Sequence, residues 1–369
     1  MSGTARPSSD SRTRSDPEPG ADRVADPLRH HGDVEAREGL LDFAVNVYTG
    51  ERPALLDRAL HESLSRIDVY PDPEPARVAI AHRHTRRVTE VLPTAGAAEA
   101  FTLIARLRPW RHPVVVHPQF TEPHAALEQA GHTVTSVLCR AEDDFVFDPG
   151  LVPEDADLVV IGNPTNPTGV LHPASALRGL CRPGRLVVVD EAFMDAVPEE
   201  PESLVGEQVE GLVVLRSLTK HWSIPGIRAG YVVGDEAVVQ GLGRAQTPWS
   251  VSTPAIAATV ACTRREAVPE SLERARTLSD QREFLEVGLR RIGLGFVPSC
   301  APFVLVRVGE GGHGHLRVHG IAARRADTFP GLDDSWVRVA VRPPDITRHL
   351  LAALTELTAS KGDSCDGHC

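Results

Sequence analysis

The stretch RLVVVDEAF, Arg185 to Phe193, sets a run of leucine and valines against two carboxylates. Its apolar part has no alternation and no Gly or Pro break. It is short and β-branched, which predicts a strand buried on both faces rather than a helix. Working outward, the same grammar recurs in VVVHP (Val114–Pro118), DLVVIGNP (Asp157–Pro164), LVVLRSL (Leu212–Leu218) and GYVVG (Gly230–Gly234). Segments with helical spacing, such as HAALEQAG and ASALRGLC, lie between several of them. Buried strands joined by helices predict an α/β fold with a mostly parallel sheet covered on both sides. The runs stop at Pro, Asn, Asp, Ser or Gly, and the C-terminal strand ends of such a sheet are where it binds its ligand.

From about Thr253 the pattern changes. A long helical region contains ERARTLSDQREFLEVGLRRIG. The alternation in FVLVRV (Phe303–Val308) and WVRVAV (Trp336–Val341) then predicts a half-exposed antiparallel sheet, and ITRHLLAALTEL a closing helix. The implied organisation is a disordered polar arm over 1–38 and a segment over 39–68 that joins or bridges to a smaller domain. A large domain over 69–252, a small α+β domain over 253–358 and a flexible tail over 359–369 complete it.

A net charge of -11 argues against nucleic-acid or membrane-surface partners, which call for basic excess. The chain shows no apolar run of the roughly 18 residues a spanning helix needs, and its first twenty residues lack an apolar signal core. Cys139, Cys181, Cys262 and Cys300 are far apart in apolar contexts, as expected of buried reduced thiols in a cytoplasmic protein. The tail CDGHC could ligate a metal through Cys365, His368 and Cys369, but it is terminal and lacks a second ligand pair, so no metal centre is expected.

Polar signals fall in order at the strand ends. TAGAAEA (Thr94–Ala100) is a small-residue turn opening a helix, whose free N–H groups suit a phosphate. GNPTNPTG (Gly162–Gly169) must turn, and either does only that or presents the Asn166 amide to a ligand. Asp190, closing a buried run, could bind a metal, cap a helix or face a protonated ring nitrogen. Past the next strand, Ser217, Thr219 and Arg228 surround Lys220. The chain has only two lysines, Lys220 and the tail's Lys361, among many arginines. Arginine cannot lose its proton to attack a carbonyl, whereas lysine can. Lys220 is thus either a chance survivor of biased composition or a required amine. Amine, carboxylate, amide and phosphate cradle together match pyridoxal 5'-phosphate.

As an ordered set, these motifs resemble the class I/II aminotransferases, the fold-type I pyridoxal-phosphate enzymes, over roughly residues 40 to 356. The resemblance implies a large domain with a mostly parallel seven-stranded sheet between helices, a smaller α+β domain, and a homodimer with shared sites. It implies that Lys220 forms a Schiff base and later shuttles a proton, that Asp190 pairs with the ring nitrogen, and that Asn166 meets the ring oxygen. Ser217, Thr219, Arg228 and the backbone of Gly96, Ala97 and Ala98 would hold the phosphate. Phe120 would stack on the ring, and Tyr70, in VYPDP, would reach the partner's cofactor phosphate. Arg338 would bind a substrate acid group, with Arg324 or its neighbour Arg325 as a second arginine and Asn46 nearby. Within the family, RSLTKHWSIPGIRAGY and DEAFMD look most like the histidinol-phosphate aminotransferase and threonine-phosphate decarboxylase branch, including cobalamin-associated relatives. Phe193 replaces a frequent tyrosine, NVYTG (Asn46–Gly50) replaces N-x-N-P-x-G, and Pro302 stands where Asn is common. The last two departures touch the substrate side, and the first removes a hydroxyl donor near the ring oxygen.

Three functions follow: transamination of a small amine or amino acid, with phosphorylated substrates favoured and cobalamin biosynthesis a candidate pathway; decarboxylation of threonine phosphate by the same apparatus; or cofactor binding without catalysis. The intact lysine, aspartate, asparagine and arginine argue against the last.

Overall fold

The computed structural model describes residues 26–36 and 39–363, with side chains described up to residue 359. Residues 1–25 of the arm, and Cys365, His368 and Cys369 of the tail, lie outside the described residues. After β1 (Leu41–Phe43), the chain lays down the strands of a seven-stranded sheet: β2 (Val91–Thr94), β3 (Pro113–His117), β4 (Thr135–Leu138), β5 (Leu158–Gly162), β6 (Leu186–Asp190), β7 (Leu212–Ser217) and β8 (Gly230–Gly234). Their spatial order is β2-β8-β7-β6-β5-β3-β4. Only β8 runs against its neighbours; the β7-β6, β6-β5, β5-β3 and β3-β4 pairs are parallel.

The absence of alternation in RLVVVDEAF has the expected cause. Val187 and Val189 pack into one apolar cluster, and Leu186 and Val188 into another on the opposite face. Each side chain buried this way stabilises by about 1.5–3 kcal/mol, so the central strands β5, β6 and β7 form a stiff base. Their C-terminal ends carry the GNPTNPTG turn, Asp190 and the Ser217–Lys220 segment to one edge of the sheet. Beside them, the helix Ala97–Arg106 buries Ala100, Phe101, Leu103 and Ile104, which fixes its first turn at the same edge.

The second sheet adds β9 (Phe296–Val297), β10 (Phe303–Arg307), β11 (Ile321–Arg325) and β12 (Trp336–Ala340), in the order β1-β11-β12-β10-β9. β1 joins it parallel to β11, and the other pairs are antiparallel. The half-exposed reading of this sheet is corrected, because β10 and β12 are buried almost throughout. Val304, Val306, Val337 and Val339 pack under the helices Val268–Arg291 and Pro344–Asp363. On the other face, Phe303 packs with Phe193, and Arg338 is buried. The alternation distinguishes two covered faces, one under helices and one against the larger sheet's unit.

Residues 26–36 also depart from the reading of 1–38 as a disordered arm. Pro27–Arg29 forms a 3-10 turn and Gly32–Glu35 a short helix. Polar contacts fasten them: Thr121 Oγ1 donates to the Leu28 carbonyl at 2.6 Å, and Glu35 meets His30 at 2.7 Å and Arg317 at 3.3 Å. Burial alone would raise the Glu35 carboxyl, but hydrogen bonds from His313 and His30 outweigh it and hold it at about 2. The cysteines with described side chains are free; Cys139 and Cys262 are buried, whereas Cys181 and Cys300 are only partly so.

Candidate active site

A cavity of about 510 Å³ opens at the edge where β5, β6 and β7 end, between the two sheets. Its wall includes Asn46, Ala97, Ala98, Phe120, Asn166, Asp190, Ser217, Thr219, Lys220, Arg228, Arg324 and Arg338. Residues from widely separated stretches of the sequence therefore converge on one space.

Lys220 sits past β7, in a turn held by its own carbonyl, which accepts from the Tyr48 N–H at 3.0 Å. Burial, then the positive fields of Arg338 and Arg228, lower its ammonium from the usual range to about 8. An amine so placed spends part of its time unprotonated near neutral pH and can act as a nucleophile. Asp190, at the end of β6, is 9 % exposed. Burial pushes its carboxyl up to about 6, although the Ala192 N–H donates to Oδ1 at 3.0 Å. That is a carboxylate in want of a cation.

The anion cradle lies at the other end of the cavity. Ser217 Oγ and Thr219 Oγ1 are 2.8 Å apart. The first-turn amides of Ala97 and Ala98 have no partner within their own helix. Gly96, at φ +78, makes the tight turn into that helix, and a Cβ there would lie 2.6 Å from Arg228 Nη2. The turn therefore needs glycine both for its backbone conformation and for the approach of the guanidinium. The Phe120 ring stands 6.2 Å from Phe101.

The substrate side is defined by two arginines. Arg338 is 5 % exposed and donates to Asn166 Oδ1 at 2.6 Å and to the Ala44 carbonyl at 2.5 Å. The Asn46 amide oxygen, oriented as its hydrogen bonds require, accepts from Nη1 at 2.9 Å. All these partners are neutral, and burial pulls the guanidinium pKa well below its normal range. Arg324 lies over the Phe329 ring at 4.7 Å and donates to the carbonyls of Arg325 and His30. Burial lowers it to about 10. Arg325 is instead held by Asp327 at 2.6 Å, so of the two neighbours it is Arg324 that lines the cavity.

Tyr70 is not in this cavity. It is 74 % exposed, stacks on Trp249 at 4.3 Å and lines a separate surface groove of about 690 Å³. Other wall residues went unread in the sequence: His31, Gly32, Asp33, Glu122 and Phe329. Glu122 receives Arg29 at 3.0 Å and His31 at 2.8 Å, so the folded part of the arm closes one side. These contacts join positions some ninety residues apart, and the only local signal is the His-Gly-Asp turn itself.

The donor set suits a ligand with an aldehyde, a protonatable ring nitrogen and a phosphate. The class I and II aminotransferase profile matches residues 38–354. A histidinol-phosphate aminotransferase of Mycobacterium bovis is 46% identical over 320 residues, covering 85% of this chain and 87% of the relative. A threonine-phosphate decarboxylase of Salmonella typhimurium is 31% identical over 334 residues, covering 85% of this chain and 90% of the relative. Among solved structures, the histidinol-phosphate aminotransferase from Clostridium acetobutylicum superimposes with a TM-score of 0.79 at 26% identity, over 87% of this chain and 100% of that one.

Proposed function

This chain belongs to the aminotransferase class I and II family, and from that premise we propose that it transfers the amino group of a small phosphorylated amine or amino acid, as a histidinol-phosphate aminotransferase does. Its cofactor is pyridoxal 5'-phosphate. When bound, that group supplies an aldehyde that captures amines and a protonated ring that withdraws electrons from the substrate Cα.

The chain's own residues then have distinct tasks. Lys220 Nζ, lowered to about 8, offers a free amine that would hold the cofactor aldehyde and, once released, would take and return the substrate Cα proton. The Asp190 oxygen not engaged by Ala192 takes the ring N–H, and that cation returns its raised carboxyl to the ionised state. Asn166 Oδ1 accepts from Arg338 Nη1, which leaves the amide N–H groups to donate to the ring oxygen. Ser217, Thr219, Arg228 and the amides of Ala97 and Ala98 hold the cofactor phosphate, and Phe120 covers the ring. Arg338 takes an acid group of the substrate, with Asn46 keeping its fork in plane, and Arg324 takes a second anion. The observation that carries this reading is the placement, around a single cavity, of one pKa-lowered amine and two arginines that make no salt bridge among the described residues.

A second reading, decarboxylation of threonine phosphate, is favoured by Arg324. A second buried cation allows carboxylate and phosphate to be seated together, and the carboxylate bond can then be turned perpendicular to the ring. The Salmonella relative supports it, and a place in cobalamin biosynthesis is compatible with either reading. Purified enzyme is given histidinol phosphate with 2-oxoglutarate, and separately threonine phosphate. Glutamate from the first supports transfer, and carbon dioxide from the second supports decarboxylation. A chain that binds the cofactor and does neither refutes both.

The active unit is a homodimer. Leu64, Ile67, Val69, Tyr70 and Trp249 are all more than half exposed, and a second copy covers them while Tyr70 reaches the neighbouring cofactor phosphate. Sedimentation of a monomer at micromolar concentration would contradict this.

A further inference from the structure

Directly behind the cofactor residues lies a charged knot that the chemistry above does not use. The Arg216 side chain is 1% exposed, with Nε 3.0 Å from Glu191 Oε2. Nη1 donates to Asp195 Oδ1 at 2.6 Å, and Nη2 donates to Glu200 and, at 3.0 Å, to Ser203 Oγ. Glu191 is itself tied down: Ser203 Oγ donates to Oε2 at 2.7 Å and the Leu204 N–H to Oε1 at 2.6 Å. Arg83 stands 3.9 Å from Glu200 at the edge. Three carboxylates thus face one buried and one peripheral arginine. Burial pushes Glu191 up to about 7, against the opposing field of Arg216.

Its position in the chain gives it meaning. Glu191 follows Asp190, and Arg216 precedes Ser217. β6 and β7 are neighbours, with Asp190 in register with Leu215. Successive side chains on a strand point to opposite faces, so the residues beside the cavity-facing pair meet on the other side of the sheet. Asp195, Glu200 and Ser203 lie on the connection between the two strands, and that connection also supplies Ala192 and Phe193 to the cavity wall. One guanidinium fork therefore ties together both strand ends and the loop between them.

We propose that Arg216, with Glu191, is the positioning residue of the cofactor site, fixing Asp190, the Ala192–Phe193 wall and the Ser217–Lys220 segment in one frame from behind. The claim rests on the reading that Asp190 and Ser217 hold the cofactor. Burying four charged groups is a poor way to gain stability, since packed apolar residues do as well or better. What the planar fork adds is geometry.

Arg216→Lys keeps the charge and removes the fork; Glu191→Gln keeps the shape and removes one charge. The readings for each are the unfolding temperature of the apoprotein, pyridoxal-phosphate affinity, visible circular dichroism of the bound cofactor, which reports ring tilt, and kcat and KM. Displacements of about an ångström at the strand ends are expected to weaken cofactor binding in Arg216→Lys by roughly tenfold or more, to diminish the visible signal and to lower kcat more than KM. Glu191→Gln shows the same changes, smaller. Wild-type affinity and wild-type visible dichroism in variants with lowered unfolding temperature would make the knot merely structural and overturn the proposal. If Arg216→Lys does not fold, Glu191→Gln decides by the same readings. A wild-type chain that binds no cofactor would instead sink the reading of the cavity.

Discussion

Arg216 on β7 and Arg338 on β12 are both buried, one in each sheet, but they keep opposite company. Arg216 sits among three carboxylates. Among the described residues Arg338 makes no salt bridge: it donates to carbonyl and amide oxygens of Ala44, Asn46 and Asn166 and lies 5.3 Å over the Phe303 ring. Arg216 meets its counter-charges within the architecture, whereas Arg338 keeps its charge open to the cavity, where an anionic ligand would complete it. In the same cavity burial, then the fields of Arg338 and Arg228, lowers Lys220 to about 8, and burial lowers Arg324 to about 10.

The contrast can be broken from either side. Arg216→Met leaves three acids without their cation, and is expected to destabilise the apoprotein by roughly 3–5 kcal/mol in denaturant unfolding. Arg338→Leu should do the reverse. Turnover of an acid-bearing substrate falls about a hundredfold in kcat/KM, near 3 kcal/mol, while apoprotein stability holds or rises. Loss of stability at Arg338, or of none at Arg216, would erase the distinction.

A smaller effect is expected at Lys220. Its folded pKa of about 8 lies below the free value of 10.5, so between those values the unfolded chain binds the extra proton and wild-type stability climbs with pH. Lys220→Met should therefore stabilise the apoprotein at pH 7 by roughly 1–3 kcal/mol. The gain should be full below pH 8 and gone by about pH 10.5, as read by unfolding across that range. Smallest is Gly96→Ala: the added methyl must displace Arg228 and strain a positive φ, weakening cofactor binding about tenfold in an equilibrium titration.

How much of this was legible in the sequence follows from range. β5, β6 and β7 were readable because their apolar runs are local, and Asn166, Asp190, Ser217, Thr219, Lys220 and Arg228 because each ends or follows such a run. The second sheet misled because alternation marks two faces without saying what covers them. Residues 26–36 were hidden because polar, long-range contacts such as His31 with Glu122 hold them, and polarity in a single sequence looks like solvent exposure. Arg216 was visible as a residue and invisible as a knot, since Asp195, Glu200 and Ser203 reach it only once β6 and β7 lie side by side. The choice of Arg324 over Arg325 likewise needed the strand's facing.

The central claim is that the cavity's unpaired amine is the one that holds the cofactor. Borohydride reduction of the cofactor-loaded enzyme, followed by digestion and peptide mass measurement, tests it directly in a chain with only two lysines. A phosphopyridoxyl group on Lys220 and none on Lys361 is the expected result; an unmodified Lys220 peptide from fully loaded enzyme would contradict it.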